Sequence, residues 1–517
     1  MRVLKTVEGL TCWRAQATGT VGLVPTMGAL HEGHLSLISQ ARRANTCVVV
    51  SIFVNPLQFG PNEDLDRYPR TLAADVAQCE AAGVDVIFAP TAAGLYGTET
   101  QPIDAQPLKV VPPTEMVNRL CGASRPGHFE GVATVVTKLL NLVRPHRAYF
   151  GQKDAQQLAI IRRLVQDLNL PGQVVGCPIV RSQSGLALSS RNRYMNEPEL
   201  QQAAILYQAL SAAKAKFKAG VRSRQPLIQA AIEALQTAPA LQTEYLDLVH
   251  PDTLIPLNIV ETTGMLAIAA HLGATRLIDN ILLRTRQPII AIDGPAGAGK
   301  STVARRIAHQ LGLLYLDTGA MYRALTWFVL SQGINPTDEV AVAELLPTCE
   351  IKLTSQGKDH HDPQPPEVWV NGASVTQAIR TPEVTAQVST IAAQSAVREA
   401  LVKQQQQYGV QGGIVADGRD ICTHVFPHAE LKIFLTASVQ ERARRRQRDL
   451  VAQSLPVPDL AELETLIADR DRKDSTREIS PLRQAEDALE LVTDDLSAED
   501  VIHKICSLYQ QITVDQT

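Results

Sequence analysis

Short runs of apolar residues alternate with amphipathic stretches along the first part of the chain. The apolar runs lie at residues 21–25, 47–54 and 84–89, and none is longer than a typical buried strand. Residues 34–44 and 72–82 instead repeat their apolar positions at helical spacing. Strands that alternate with helices in this way form βαβ units around a parallel sheet, so the pattern predicts an α/β fold.

The alternating pattern starts again about halfway along the chain. An apolar strand signal at residues 288–292 runs into a glycine-rich loop, and a helical pattern begins near Lys300. We interpret residues 277–280 as the end of the first module, and residues 283–287 as a short polar linker with two arginines and no Gly/Ser tract. We therefore predict two α/β domains, residues 1–282 and residues 283–517.

Each domain also contains a smaller predicted part. Residues 203–238 have a helical pattern and are followed by strand signals at 244–249 and 264–269, which predicts a small α+β subdomain in the first half. In the second half, strand signals at 350–353 and 367–370 precede an Asn-Gly turn and predict a small β insert. The glutamines at 404–407 continue a helical pattern and are interpreted as a polar helix face.

Composition and charge exclude several classes of protein. The chain has 517 residues, 45% hydrophobic and 20% charged, so it can bury sizeable cores. A net charge of −4 provides no global basic field, and we expect no nucleic-acid partner. The eight cysteines include no CxxC pair, which argues against a zinc ribbon and a disulfide framework. No apolar run is long enough for a signal peptide or a membrane span, so we expect a cytoplasmic protein without a membrane partner.

A phosphate-binding motif follows the strand signal at 288–292. Residues 294–301 read Gly-Pro-Ala-Gly-Ala-Gly-Lys-Ser and match GxxxxGK[ST] in full, between a predicted strand and a predicted helix. In such a loop the glycines let backbone N–H groups converge on phosphates, the lysine reaches the β- and γ-phosphates, and the serine ligates Mg²⁺. The alternative is a glycine-rich turn without nucleotide. The predicted ATP-binding residues are Gly294, Gly297, Gly299, Lys300, Ser301 and Thr302, with Lys300 catalytic and Ser301 on the metal.

Three later motifs narrow the reaction. They read Tyr-Leu-Asp-Thr-Gly-Ala-Met-Tyr-Arg at 315–323, Ala-Asp-Gly-Arg-Asp at 416–420 and Asp-Arg-Asp-Arg-Lys-Asp-Ser-Thr-Arg at 469–477. In order and spacing, residues 288–517 resemble the bacterial cytidylate kinase family. The resemblance implies a P-loop nucleoside monophosphate kinase domain that phosphorylates CMP or dCMP with ATP.

The resemblance also implies a site for the acceptor nucleotide, in which arginines hold its phosphate and carboxylates contact its ribose and base. An aspartate accepts from the exocyclic amine of cytosine, a group that uracil lacks. Phosphoryl transfer needs positive charge around the in-line oxygens more than covalent chemistry. A threonine stands at 318, where serine is frequent in the family, and keeps the hydroxyl. The implied CMP-binding residues are Thr318, Arg323, Ser389, Arg398, Asp420, Arg470, Asp474 and Arg477.

Two polar segments of the second half have more than one interpretation. Residues 441–448 contain five arginines. The resemblance favours a lid over the ATP phosphates, with a solvated helix face and a nucleic-acid patch as alternatives. His360 and His361 lie among acids and prolines at 358–366, which favours a solvated loop over a metal site.

A histidine pair lies at the first strand-to-helix junction. His31 and His34 form an HxGH sequence, which places two imidazoles near a helix N-terminus where they can contact ATP phosphates. A zinc site is disfavoured because the motif is not HExxH and no third ligand is evident nearby. By itself, such a pair is more often structural than catalytic, so the surrounding motifs decide.

Five surrounding segments are distinctive, at residues 51–59, 68–71, 125–129, 150–157 and 186–192. Their combined order resembles the pantothenate synthetase family, also called pantoate–β-alanine ligase, over residues 1–282. The resemblance implies a Rossmann-like HxGH nucleotidyltransferase domain. In the implied reaction the carboxylate of pantoate attacks the α-phosphate of ATP to give pantoyl adenylate and pyrophosphate, and the amine of β-alanine then displaces AMP.

The same resemblance assigns roles to residues. His34 is implied as proton donor, His31 as a second contact to the triphosphate, and Lys153 as the charge that neutralises the α-phosphate. The implied ATP-binding residues are Met27, Gly28, His31, His34, Gly151, Gln152, Lys153, Asp154, Val180, Leu188, Ser189, Ser190 and Arg191. Those for pantoate and β-alanine are Gln58, Gln157 and Arg125.

Four residues of this half stay open. Arg125 is a candidate for pantoate or phosphate binding, with a structural ion pair as the alternative. Asp75 is a candidate Mg²⁺ ligand, with a solvated helical residue as the alternative. Gln152 stands where the family often has Glu, and Ala155 where an aromatic residue is common.

These observations predict a bifunctional enzyme that uses ATP and Mg²⁺. Its expected partners are ATP, pantoate, β-alanine and CMP or dCMP, and the resemblance of the first half implies a homo-oligomer formed through the N-terminal domain. The alternatives are that one half is a retired enzyme acting as a scaffold, or that either half uses a different acceptor.

Overall fold

The computed structural model describes residues 1–61, 63–97, 108–354, 365–452, 457–476 and 480–514. The chain divides into two compact units, Met1–Thr285 and Arg286–Thr517. Each unit is built around a parallel sheet, which confirms the predicted α/β class. Arg477 and the pair His360 and His361 lie outside the described residues.

The first unit contains nine strands and eleven α-helices within its described residues. The strands are β1 Arg2–Leu4, β2 Val21–Thr26, β3 Cys47–Ile52, β4 Val86–Phe88, β5 Arg147–Gly151, β6 Gln173–Cys177, β7 Leu241–Val249, β8 Thr263–Leu272 and β9 Thr275–Arg284. The helices are α1 Val7–Gln16, α2 Glu32–Ala44, α3 Leu72–Ala81, α4 Ala92–Tyr96, α5 Thr114–Val117, α6 Leu120–Ser124, α7 His128–Val143, α8 Ala155–Asp167, α9 Glu197–Ala203, α10 Ile205–Lys218 and α11 Arg224–Leu235.

Strands β1 to β6 form a parallel sheet in the order β1-β4-β3-β2-β5-β6. Strand β2 is central, and the connections after it lead to opposite sides, first to β3 and later to β5. In an open parallel sheet, the carboxyl ends of the strands beside such a reversal border the ligand crevice. This Rossmann-like order therefore brings the segment after β2 and the segment after β5 to the same crevice.

The smaller part of the first unit is an antiparallel sheet, β7-β8-β9, packed on α10 and α11. It confirms the predicted α+β subdomain but adds a strand that we did not predict. We interpreted residues 277–280 as the end of a module and 283–287 as a linker. Instead, Thr275–Arg284 pairs along its whole length with β8.

The second unit contains eight strands and eight α-helices within its described residues. The strands are β10 Ile290–Asp293, β11 Leu314–Asp317, β12 Ile351–Thr354, β13 Glu367–Val370, β14 Ala373–Ser374, β15 Ile414–Gly418, β16 Leu431–Thr436 and β17 Leu489–Val492. The helices are α12 Lys300–Leu311, α13 Thr318–Ser331, α14 Glu339–Leu345, α15 Pro382–Ala393, α16 Ser395–Tyr408, α17 Val439–Ala452, α18 Leu460–Thr476 and α19 Ala498–Val514.

Its parallel sheet has the order β11-β15-β10-β16-β17. Strand β10 is central, and the phosphate-binding motif connects it to α12. The predicted β insert is present as the antiparallel sheet β12-β13-β14, whose hairpin turns through Asn371 and Gly372, both at positive φ. Helices α17 and α18 pack on each other through Ala443, Leu450, Leu463 and Ile467.

The glutamine run in α16 is less solvated than we predicted. Gln405 is 1% exposed, and the side chains of Gln404 and Gln406 donate to the carbonyls of Cys349 and Val425. All eight cysteines lie within the described residues and have free thiols. Among the helices of the described ranges, none combines the length and apolarity needed to cross a bilayer.

Candidate functional site

The histidine pair lies where β2 passes into α2. His31 caps α2, and its Nδ1 accepts a hydrogen bond from the backbone N–H of Gly33 at 3.1 Å. A neutral His31 therefore carries its proton on Nε2. The ring centroids of His31 and His34 are 4.1 Å apart. The capping bond thus orients one imidazole as a hydrogen-bond donor beside the other.

Both imidazoles are held in the neutral form. Burial, followed by the charge of Lys153, lowers the pKa of His31 to about 4. Burial, followed by His31 and Lys153, lowers the pKa of His34 to about 3. Without substrate, Lys153 rather than the imidazoles supplies positive charge near neutral pH. The two histidines contribute N–H groups.

Asp75 supports the loop that precedes the histidines. Its carboxylate accepts from the backbone N–H groups of Ala29 and Leu30 at 3.0 and 2.9 Å, and it is 2% exposed. Gly28 adopts φ +78°, and a Cβ there would lie 2.9 Å from an Asp75 oxygen. The carboxylate is neither solvated nor free for a cation, so the structure contradicts both the proposed metal role and its alternative.

Gln58 is oriented by its neighbours. Asn55 donates to the side-chain oxygen of Gln58 at 3.0 Å, and Tyr96 donates to the side-chain oxygen of Asn55 at 2.7 Å. The amide nitrogen of Gln58 lies 3.0 Å from the sulfur of Met27. Because its oxygen is engaged, Gln58 presents its NH₂ group to the cleft. Such a donor suits a hydroxyl or carboxylate oxygen.

Arg125 forms the structural ion pair that the sequence left open. It forms a bidentate ion pair with Glu63, and its Nη1 lies 3.0 Å from Nε2 of His128. His128 Nδ1 in turn lies 2.7 Å from the backbone carbonyl of Gln58. Burial, followed by Arg125, lowers the pKa of His128 to about 4, so its ring is neutral. The chain Glu63–Arg125–His128 therefore supports Gln58 from behind.

The opposite side of the cleft is formed by the segment around Ser189. The Ser189 hydroxyl accepts from the N–H of Arg191 at 3.3 Å, while the Arg191 guanidinium pairs with Asp64 through two bonds of 3.1 and 2.9 Å. Arg193, which we did not predict, donates to the carbonyl of Leu30 at 2.8 Å. Its charge also contributes to the lowered pKa values of both cleft histidines, after burial and Lys153.

The structure brings most predicted residues of this half into one cleft. Gln152 does not face it, because its side chain donates to the carbonyl of Gly176 at 3.3 Å. Gly28 shapes the turn, and Arg125 lines an adjoining cavity together with Cys121 and Arg276. The predicted residues that line the cleft are Met27, His31, His34, Gln58, Gly151, Lys153, Asp154, Gln157, Val180, Leu188, Ser189, Ser190 and Arg191.

In the second unit, the phosphate-binding loop runs from β10 to α12. Gly294 adopts φ +151°, and a Cβ there would lie 1.9 Å from the carbonyl oxygen of Leu435, so only glycine fits. Lys300 is 5% exposed and donates to the carbonyl of Pro295 at 2.7 Å. Burial, followed by Arg419, lowers its pKa. Thr302 lies in the first turn of α12 with an exposed side chain.

Asp417, at the end of β15, organises the oxygen atoms next to this loop. Its carboxylate accepts from Ser301 Oγ at 2.7 Å and from the Tyr315 hydroxyl at 2.9 Å, and its carbonyl accepts from Thr318 at 2.7 Å. A hydroxyl and a carboxylate oxygen are ligands that suit Mg²⁺. The described residues contain no group of three or more His, Cys, Asp or Glu arranged to hold a metal. A magnesium ion would therefore rely on nucleotide phosphates for further ligands.

The predicted acceptor residues take part in two ion pairs, one of them with Arg419, and in a cluster of arginines. Arg398 and Asp420 are buried against each other, and Arg419 pairs with Asp474 at 2.9 Å. Enclosure by protein, followed by the charge of Arg419, lowers the pKa of Arg470. Such convergence of guanidinium groups suits an anion. The charge of Arg323 also acts on Arg470, whereas Ser389 is exposed on α15.

The arginine run on α17 has two faces. Arg442 is 4% exposed and donates to the carbonyl of Ala296 in the phosphate-binding loop at 3.0 Å and to Asp471 on α18 at 2.6 Å. Arg444 and Arg448 are solvated and pair with Glu441. The run therefore has one buried contact to the phosphate-binding loop and one solvated face, and the lid over the ATP phosphates stays a prediction.

Several residues that build these sites were missed from the sequence. Asn55, Asp417 and Arg419 lie inside motifs that we recognised, so the motifs themselves carried the signal. Asn280 and Tyr96 lie far along the chain from the groups they contact. Only tertiary contacts identify those two.

Known families and proteins match both halves. The pantoate-beta-alanine ligase family matches residues 2–282, and the cytidylate kinase family matches residues 290–511. A bifunctional pantoate ligase/cytidylate kinase from Trichormus variabilis is 59% identical over 99% of each chain, and one from Synechocystis is 55% identical over 99% of each. A solved pantothenate synthetase from Thermus thermophilus is 46% identical, with a TM-score of 0.51, over 54% of this chain and 99% of that one.

Proposed function

Because this chain belongs to the bifunctional pantoate ligase/cytidylate kinase family, we propose that it catalyses two reactions. Residues 1–282 join pantoate to β-alanine with ATP, and residues 283–517 phosphorylate CMP or dCMP with ATP. The observation that carries the proposal is that each half gathers its motif residues from distant segments around one site.

In the ligase half, the cleft suits adenylation of a carboxylate. Lys153 brings the positive charge, and His31 and His34 bring N–H donors for the triphosphate. A bound triphosphate would raise the pKa of His34, which supports its role as proton donor. Gln58 and Gln157 hold pantoate, while Met27, Gly151, Asp154 and the segment 188–191 enclose the nucleotide. The pantoate carboxylate then attacks the α-phosphate, pyrophosphate leaves, and the amine of β-alanine displaces AMP.

In the kinase half, Lys300 and the N–H groups of the phosphate-binding loop hold the phosphates of ATP. Asp420, Asp474 and the arginines around Arg470 hold CMP. Mg²⁺ would be held by Ser301 and Asp417 together with the nucleotide, and it would supply positive charge at the phosphate oxygens. The neighbouring arginines stabilise the charge that develops during transfer.

Three further properties belong to this proposal. The ligase reaction also uses Mg²⁺, bound by ATP itself, because Asp75 is occupied by the loop it supports. By the family resemblance, the chain forms homo-oligomers through its N-terminal domain. It works in the cytoplasm on small molecules, without a nucleic-acid or membrane partner.

Product analysis tests both activities at once. The purified chain is incubated with ATP and Mg²⁺, adding pantoate plus β-alanine in one reaction and CMP in another. We expect AMP and pyrophosphate only in the first, and ADP and CDP only in the second. A silent reaction would mean that the corresponding half is a scaffold or uses a different acceptor.

Two variants assign the activities to their sites. Lys300→Ala should lower CDP formation at least about 100-fold, because a charge on the phosphates is lost, and leave pantothenate formation within a few-fold. His34→Ala should suppress pyrophosphate release from ATP and pantoate and spare the kinase. Each variant is the control for the other, and loss of both activities in a folded variant would contradict two separate sites.

A further inference from the structure

Strand β9 of the small subdomain reaches the turn that carries Lys153. This turn, Gln152–Asp154, follows β5 directly. The side-chain nitrogen of Asn280 donates to the backbone carbonyls of Gln152 and Lys153 at 2.9 and 3.0 Å. Both partners are acceptors, so the NH₂ group must face them, and its two hydrogens serve two consecutive carbonyls.

Asn280 is itself firmly placed. The residue is 6% exposed, and its backbone N–H donates to a side-chain oxygen of Asp279 at 2.8 Å. The Arg181 guanidinium donates two hydrogen bonds of 2.6 and 2.9 Å to the Asp279 carboxylate, and it lies 3.9 Å from the centre of the Tyr207 ring. A bidentate pair of this kind holds its partners in one geometry. The amide of Asn280 is therefore a rigid support.

We propose that Asn280 is a positioning residue of the ligase reaction, which holds the Lys153 turn where the lysine meets the α-phosphate of ATP. The inference rests on the proposed function of residues 1–282. The subdomain thereby contributes to catalysis without touching substrate. Misplacement of a reacting group by about 1 Å can cost on the order of 100-fold in rate.

The first test is a double-mutant cycle on pyrophosphate release, measured in the full chain. We expect Asn280→Ala to lower kcat at least about tenfold with the KM for ATP changed less than about threefold. In a Lys153→Ala background the same change should lower kcat less than about twofold, because the group that it positions is gone. The matched control is Asn258→Ala, an exposed residue of the same subdomain, which should leave the ligase unchanged. CDP formation reports an intact second unit in every variant.

An effect of Asn280→Ala that is equally large in both backgrounds would overturn the proposal and indicate a general structural role. An unchanged kcat would overturn it as well. If the unaltered chain releases no pyrophosphate with pantoate, the proposed function has failed instead, so the two failures are distinguishable.

Asn280→Asp provides a second test should the alanine variant not fold. At neutral pH a carboxylate would face two carbonyl oxygens, with Lys153, Asp154, Asp279 and Arg181 as the surrounding charges. When the introduced carboxylate is protonated, its O–H group can donate to one of the two carbonyls. The ratio of its kcat to that of the unaltered chain should rise at least about threefold between pH 8 and pH 5.5. A flat ratio in a folded variant would overturn the proposal.

Discussion

Single side chains in this protein often act by holding the backbone beneath a site. Asp75 is the clearest case, since it accepts two N–H groups of the loop before His31 instead of a metal ion. His31 does the same for α2 through its capping bond. From residue type alone, such groups are candidates for catalysis or metal binding. Their hydrogen-bond partners show that they stabilise the backbone around the site.

Asp75→Ala tests this support. Two buried N–H groups would lose their acceptor, which should cost about 2–4 kcal/mol and lower the Tm of the first unit by about 5–10 °C. The dependence of pyrophosphate release on Mg²⁺ concentration should stay unchanged. Calorimetry and a magnesium titration check both points, with Asp66→Ala, an exposed aspartate, as control. A shifted magnesium requirement at unchanged Tm would restore the metal role.

At the scale of elements, one arginine connects the phosphate-binding loop to the pair α17 and α18. Arg442 contacts the loop at Ala296 and helix α18 at Asp471. Arginine suits this position because its guanidinium has five donors in a fixed fork. This side chain therefore links both helices to the loop.

Arg442→Met retains much of the apolar stem and removes the donors. We expect the KM for ATP in CMP phosphorylation to rise about tenfold, the equivalent of about 1.4 kcal/mol, with the ligase unaffected. Arg444→Met is the matched control, because Arg444 lies on the same helix with 63% of its side chain exposed. Steady-state kinetics of both variants provide the measurement. Equal effects in the two variants would contradict a specific contact.

At the scale of the whole molecule, the two units carry buried groups with opposite pKa shifts. In the first unit, burial lowers the pKa of His31 and His128 to about 4 and of His34 to about 3. In the second, burial, followed by neighbouring carboxylates, raises the pKa of Asp293 and Asp317 to about 6. Their linkage to stability therefore has opposite signs.

We expect the two thermal transitions to respond oppositely when the pH falls from 7 to 5. The unfolded first unit takes up protons on its histidines near pH 6.5 while the folded unit does not, so its Tm falls by several degrees. The folded second unit protonates Asp293 and Asp317 near pH 6, whereas the unfolded chain does so near 3.8, so its Tm rises. The destabilising contribution of the histidines vanishes above about pH 7. The stabilising contribution of the aspartates is largest below about pH 3.8 and is lost as the pH rises through about 6.

Calorimetry without substrates provides the measurement, and added CMP identifies the second transition because it stabilises only the unit that binds it. Asp317 caps α13 by accepting from the N–H of Ala320 at 2.9 Å. Asp317→Asn keeps an oxygen acceptor for this bond but removes the titrating group, so it should reduce the rise in the Tm of the second unit. Transitions that move in the same direction would contradict the assignment.

Much of this protein was readable from local sequence. Hydrophobic periodicity predicted both parallel sheets, and the phosphate-binding motif predicted the loop between β10 and α12, because each depends on residues adjacent in the chain. Strand β9 was missed because its ladder with β8 depends on pairing, and an apolar segment next to arginines has the same local pattern as a strand end followed by a linker.

The sequence by itself determined the fold class, the two-domain organisation and the motifs that carry the chemistry. Only the tertiary structure decided which groups are supports. Asp75, Arg125 and Asn280 are polar residues whose roles depend on partners 45 or more positions away. A carboxylate or amide binds whichever donor or acceptor folding brings to it, and burial then determines its charge state. That pairing exists only in the folded chain.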